Sequence, residues 1–353
     1  MRILSDLLTL FCGKRGERGL PNAAAYLPTS ILRFIARRRR ASGFYDGRTL
    51  ALFAVVWRRR GSASALLEYA LFRRDLGRPL PKRWQAPFFA VLNNLCPESR
   101  RLAMALLSES TTEQVFAVGG HHMAPPASCY STQCGAMGPD WLARLHEQQQ
   151  AWRERFAQQL RQAAEGGICL VGNSGSLNGS GLGNYIDSHS LVVRFNLFSG
   201  PKSEAIDLGN QLDIWVGAPG FSGQPPHEVS WVISTGPDMR FRRQNWSPLK
   251  NRLERDLPVL TVPLTIWREL VADCLAPPSA GILVLAWIRD LLGSWNGVAT
   301  VAIGVPPSNF ISYHHVVPKQ LPFDRHSWEK ERELLNRWRS EGLCSSENST
   351  GDN

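Results

Sequence analysis

The chain has 353 residues, 43% hydrophobic and 20% charged, which is enough to bury a sizeable core and too apolar for a disordered polymer. Its formal net charge is +10, yet residues 1–100 hold 19 Lys and Arg against 6 Asp and Glu, while the remainder holds 21 against 24. The basicity belongs to the N-terminal segment, which argues against a nucleic-acid-binding surface running through the whole protein.

The N-terminal region, residues 1–115, reads as short helices broken by Gly and Pro, with Leu66, Leu67, Ala70 and Leu71 at helical spacing before Gly77-Arg78-Pro79. No stretch approaches the roughly 18–20 apolar residues of a spanning helix. No small-residue cleavage site follows a hydrophobic run, so a cytoplasmic location is expected. The runs Arg37-Arg38-Arg39-Arg40 and Arg58-Arg59-Arg60 lie beside Phe34, Phe53 and Trp57. They suit a solvated basic face or a peripheral contact with an anionic inner-membrane surface. Residues 116–138, with Gly119-Gly120 and Pro125-Pro126, read as a linker. His121-His122, Cys129 and Cys134 fall there, at a spacing that fits no standard zinc pattern.

A helix is expected from Asp140, because Trp141, Leu145, Trp152, Phe156, Leu160 and Ala163 fall on one face before Gly166-Gly167. Ile168-Cys169-Leu170-Val171 reads as a buried strand. Further strands are expected at 190–195, 213–216, 229–234, 259–262 and 298–303, with a helix at 281–292. Strands alternating with helices predict an α/β fold around a mostly parallel sheet, and Trp215 and Trp231 are expected in its core. The polar tail 345–353 is expected to be disordered.

The first strand feeds a Gly-rich loop, 172–183, where backbone N–H groups can converge on phosphate oxygens. It lacks the Gly-Lys-Ser/Thr ending of a P-loop. Gly179, Gly181 and Gly183 give G-x-G-x-G rather than the dinucleotide fingerprint.

Residues 169–196 resemble the large motif of the eukaryotic-type sialyltransferases, glycosyltransferase family 29. The resemblance runs through Val171-Gly172-Asn173-Ser174-Gly175-Ser176-Leu177, Gly179-Ser180-Gly181, Ile186-Asp187-Ser188-His189 and Val193-Arg194-Phe195-Asn196. Pro278-Ser279-Ala280-Gly281-Ile282-Leu283-Val284-Leu285, ending in Val301-Ala302-Ile303-Gly304, looks like the small motif. His326-Ser327-Trp328-Glu329-Lys330-Glu331 matches the last motif, and Tyr313-His314-His315 lies where the short aromatic/His motif should be.

The resemblance implies a Rossmann-like, GT-A-variant glycosyltransferase domain over 139–344. It implies an inverting, metal-independent transfer of a sialic-acid-like sugar acid from a CMP-sugar to the hydroxyl of a glycan or glycolipid. No cofactor or metal is expected, and the chain contains no Asp-x-Asp of the kind that holds a cation on a diphosphate. His326, ahead of a helix with Trp328, Leu335 and Trp338 on its core face, is the expected base. A helix N-terminus disfavours imidazolium. Glu331 is expected to position that segment. His314 is expected to donate to the departing phosphate, with His315 or Tyr313 as alternatives.

Asn173 and Asn196 match asparagines that contact CMP, and their amides offer both donor and acceptor. Ser174 and Gly175 belong to the same donor-side loop. Ser279 and Gly281 are expected to bring backbone N–H groups to the donor, and Gly304 to admit close backbone approach. Ala280 stands where the family has Thr, which leaves a CMP-Kdo-type donor as an alternative. A further alternative is an inactive relative that binds glycans or a membrane surface. The family's bridging Cys is missing from 287–294, so Cys169 is expected to be a buried thiol. That departure, with no N-terminal anchor in view, is expected of a bacterial-type, cytosolic member.

Overall fold

The structure, a computed structural model, describes residues 20–78, 82–96, 99–100, 103, 106, 140–196, 198, 205–218, 221, 223, 225, 228–237, 257–304 and 325–346. Its contacts divide the chain into two units. One comprises Met1–Ala143, Trp267–Pro277 and Asp324–Ser327; the other comprises Arg144–Ile266, Pro278–Phe323 and Trp328–Asn353.

The first unit is helical. It contains α1 (Thr29–Ala41), α2 (Gly47–Arg60), α3 (Ala63–Asp75) and α4 (Lys82–Val91). Leu32, Ile35 and Ala36 of α1 bury the i, i+3, i+4 stripe expected of an amphipathic helix, as do Thr49, Leu52 and Phe53 of α2, which Val56 continues at i+7. Phe72 of α3 packs against Phe53 and Tyr45, at ring-centroid distances of 5.2 and 5.6 Å. Asp46 starts α2 by accepting from the Thr49 N–H, and Gly61 ends it in the left-handed conformation.

The four consecutive arginines do not form one cationic face. At about 100° per residue a helix points neighbours in different directions, and each of these meets its own surroundings. Arg37 pairs with Glu68, Arg40 with Asp75, and Arg39 is buried against Asp46. Arg38 is exposed, as are Arg58, Arg59 and Arg60, although Arg59 donates to the carbonyls of Ala25 and Leu27. No helix among the described residues is long and apolar enough to cross a membrane.

The second unit is α/β. Helix α5 (Asp140–Ala163) leads into β1 (Ile168–Val171), and α6 (Gly183–Asp187) into β2 (Leu191–Phe195). Then follow α7 (Ala205–Leu208), β3 (Ile214–Gly217), β4 (Trp231–Pro237) and β5 (Val259–Val262). Helix α8 (Leu264–Cys274), not anticipated from the sequence, counts with the helical unit from Trp267 onward. The chain continues through α9 (Ala280–Leu292), β6 (Val298–Val301), α10 (Trp328–Ser340) and β7 (Cys344–Ser345). The sheet order is β5-β4-β3-β2-β1-β6-β7, and every pairing is parallel.

A parallel sheet covered on both faces is built from continuous apolar runs, and β1, β2, β3, β5 and β6 are buried throughout. Trp215 and Trp231 lie in this core, as expected. Phe156 of α5 wedges between Trp231 and Trp287, at 5.6 and 5.2 Å. The edge strand β5 would otherwise present unpaired backbone groups. Gln149 of α5 covers them as a neighbouring strand would: its Nε2 donates to Val259 O at 2.7 Å and its Oε1 accepts from Thr261 N at 2.9 Å. At the opposite edge, Ser345 pairs with Thr300 in β7, so regular structure reaches one residue into the stretch expected as a tail.

Candidate functional site

From β1 the strands step outward to β5; the chain then returns to the other side of β1 to lay down β6. The carboxyl ends of β1 and β6 therefore flank a topological switch point, where open parallel sheets leave a crevice for ligands. The backbone there is under constraint. Among the described residues only Asn196, Leu275 and Ala302 are non-glycine residues at positive φ. Two of them follow strand ends at this edge of the sheet: Asn196 (φ 36°) after β2 and Ala302 (φ 54°) after β6. Such conformations cost free energy and persist where the surroundings enforce them. Gly172 donates to Val301 O at 2.8 Å, and a Cβ there would lie 2.0 Å from Ala302 O. Only glycine allows β1 and β6 to approach so closely just before Asn173.

Asn173 and Asn196 sit at the ends of adjacent strands. Asn173 Nδ2 donates to Phe195 O at 3.1 Å, and Asn196 Oδ1 accepts from Ala218 N at 2.9 Å. Each amide is oriented by a bond to the sheet. Ser174 is buried and caps the short turn Gly175–Leu177, its Oγ accepting from Ser176 N at 3.3 Å.

Ser279 of the small motif and Glu331 of the last motif meet within the α/β unit. Ser279 caps α9, its Oγ accepting from Ile282 N. Its own N–H donates at 2.7 Å to Glu331 Oε1, from a side chain only 1% exposed on α10. A buried carboxylate at the amino end of a helix is favoured by the helix dipole, so Glu331 positions the start of α9. A Cβ at Gly281 would rest against Ile303, and Gly304 (φ 115°) runs against Leu335.

His326 counts with the helical unit. It is half-buried, with Nδ1 2.8 Å from Pro277 O. A carbonyl can only accept, so this contact assigns a proton to Nδ1, and in the neutral ring Nε2 is then the acceptor. The chain just before it is anchored. Arg325 O lies where a Cβ on Gly43 would be, and Arg325 Nη2 donates to the Tyr45 hydroxyl at 3.3 Å. Tyr313, His314 and His315 lie outside the described residues, as do His121, His122, Cys129 and Cys134. No cluster of metal-ligating side chains occurs among the described residues.

Asp187 and Arg194 fall within the large motif without a role assigned to either from the sequence, and Asp207 and Asp213 were given none. Arg194, in the middle of β2, donates to Gln211 O at 2.7 Å and Leu208 O at 2.5 Å, and lies 4.1 Å from the Phe198 ring centroid. Burial draws its pKa down to about 10 despite nearby Asp187 and Asp213. Asp187 accepts from the N–H groups of Asn210 and Gln211. Asp213 accepts from Val192 N at 2.7 Å. Asp207 accepts from Gly179 N at 2.7 Å and Gly181 N at 2.8 Å, and these two bonds hold its carboxyl below the ordinary carboxylate range. Glycine N–H groups that the sequence offered to a phosphate are thus engaged by the protein itself. Cys169 is a free, buried thiol, as expected, with its pKa pushed up to about 12 by burial; Cys274 is also buried.

Residues 142–224 match the family model described as glycosyltransferase family 29 (sialyltransferase), in line with the resemblance read from residues 169–196. Two solved structures of a mammalian sialyltransferase are similar at 20% identity, with TM-scores of 0.39 and 0.40. Each alignment covers 50% of this chain, and 68% and 67% of theirs respectively. The first is in complex with Gal-beta-1-3GalNAc-ortho-nitrophenol. No curated protein matches the chain.

Proposed function

We propose that this chain is a sialyltransferase-like glycosyltransferase that transfers a sialic-acid-like sugar acid from a CMP donor to a glycan hydroxyl, with inversion and without a metal. The observation that carries this reading is the sheet's switch point. There the large motif supplies Asn173 and Asn196 on adjacent strand ends, and the small motif supplies the capped amino end of α9, positioned by Glu331. The two amides suit the phosphate, ribose and base edges of a nucleoside monophosphate. Such a leaving group carries less charge than a diphosphate, which fits a chain without Asp-x-Asp.

In this reading Nε2 of His326 takes the proton of the acceptor hydroxyl. The freed oxygen forms the new bond to the anomeric carbon as the bond from that carbon to the phosphate oxygen breaks, and CMP departs with the electron pair. His314 is the proposed donor to that phosphate. Ala280, the first residue of α9, brings no hydroxyl to the donor sugar, which leaves CMP-Kdo-type acids as a second class of donor.

The test is binding. Saturating CMP is expected to raise the unfolding midpoint, because a ligand held only by the folded state stabilises it by mass action, about 2.7 kcal/mol at 100 times Kd. Equal midpoints with and without CMP would count against the proposed donor site.

A further inference from the structure

The Gly-rich loop and the segment 205–211 hold each other through two carboxylates in opposite directions. Asp207 reaches from α7 to the loop, where Oδ2 accepts from Gly179 N and Oδ1 from Gly181 N. Asp187, at the end of α6, reaches back to the N–H groups of Asn210 and Gln211. Backbone contact accompanies the exchange. A Cβ on Gly183 would lie 2.1 Å from Ala205 O, and one on Gly209 2.4 Å from Asp187 Oδ1. Gly179 and Gly181 themselves have open space where a Cβ would be, but their φ angles are 74° and 65°. Their glycine character serves the left-handed backbone that turns both N–H groups toward one anion, the arrangement of an anion-binding nest.

We propose that Asp207 is a positioning residue whose carboxylate occupies this nest as a resident anion, fixing the loop that continues from Asn173 and leaving the nest closed to the donor's phosphate. The proposal rests on the donor site proposed above. It divides the loop into two parts: residues 173–175 next to the switch point serve the nucleotide, and residues 179–181 serve the scaffold. Both oxygens are used, on two different N–H donors, so Asn is a poor substitute. It offers one acceptor and turns an NH2 group toward the other amide.

Backbone amide exchange in the unliganded protein tests the placement, and CMP affinity tests its consequence. In Asp207→Ala and Asp207→Asn, exchange at Gly179 and Gly181 is expected to quicken by about tenfold or more, while the unfolding midpoint barely moves. Adding acetate to Asp207→Ala should restore slow exchange by refilling the nest, and inorganic phosphate should do the same only in the variant. CMP should bind the Ala variant about tenfold more weakly than wild type, with acetate recovering part of the loss. Unchanged exchange at both glycines overturns the placement. Faster exchange with undiminished CMP affinity overturns the role in donor binding. Phosphate that slows these amides in wild type overturns the claim that the nest is closed. If the wild-type protein bound no CMP at all, the donor reading would fall, while exchange and acetate rescue would still decide where the Asp207 carboxylate sits.

Discussion

Replacing His326 by Asn is expected to lower the transfer rate by about 10²–10⁴-fold, the usual contribution of a general base, and to leave the unfolding midpoint in place. The ring's Nδ1–H is held by Pro277 O at 2.8 Å. An Asn side chain can offer the same carbonyl an N–H, so the anchoring bond survives. What disappears is Nε2, the acceptor on the far side of the ring, which an amide nitrogen cannot replace because it holds no basic lone pair. His326→Ala removes the base and the anchor together. Comparing the two separates chemistry from scaffolding: equal loss of rate in both, with the midpoint lowered only in Ala, supports a base. Near-normal transfer by the Asn variant would refute the assignment.

Asp46→Ala should destabilise the helical unit by about 3–5 kcal/mol, the typical loss when one partner of a buried ion pair is removed. Asp46 and Arg39 meet at 2.8 Å, and neither side chain is exposed to solvent. The same carboxylate accepts from Thr49 N at 2.9 Å and Thr49 Oγ1 at 2.8 Å, and so starts α2. Its loss deprives a buried guanidinium of its counter-charge and a helix of its cap, worth roughly a further 1 kcal/mol. Arg39 retains Thr49 Oγ1 at 3.0 Å and the Phe44 ring at 4.4 Å, contacts too weak to replace a carboxylate. Denaturant unfolding measures the loss directly. Adding Arg39→Met to Asp46→Ala should recover much of it, since an apolar side chain needs no counter-ion. A double variant as unstable as the single one would show that the cap, not the ion pair, dominates.

The sheet was legible because parallel strands buried on both faces must be short, continuous apolar runs, and 259–262 was placed to the residue. The motif residues Gly172, Asn173 and Asn196 were legible through the resemblance, and their place at strand ends follows because Gly172-Asn173 and Asn196 come just after such runs. The arginine run was misleading. Adjacency in sequence suggests a single patch, whereas a helix fans Arg37, Arg39 and Arg40 toward Glu68, Asp46 and Asp75. Nothing in the spacing linked Asp207 to Gly179 and Gly181, 28 and 26 positions away, because that contact exists only once α7 docks on the loop. Helix α8 carried a signal that went unread: Ile266, Trp267, Leu270, Val271 and Cys274 are all buried and repeat at three- and four-residue spacing. Strand β7, two residues long, is too short to leave a pattern.

The central claim is that the switch point of this sheet receives a CMP-activated sugar acid. CMP release from CMP-sialic acid and CMP-Kdo, each offered with a glycan acceptor and assayed with and without EDTA, tests it most directly. The account predicts release from at least one of these donors, at the same rate in EDTA, with the sugar acid appearing on the acceptor. No release from either donor, or release that depends on a divalent cation, would contradict it.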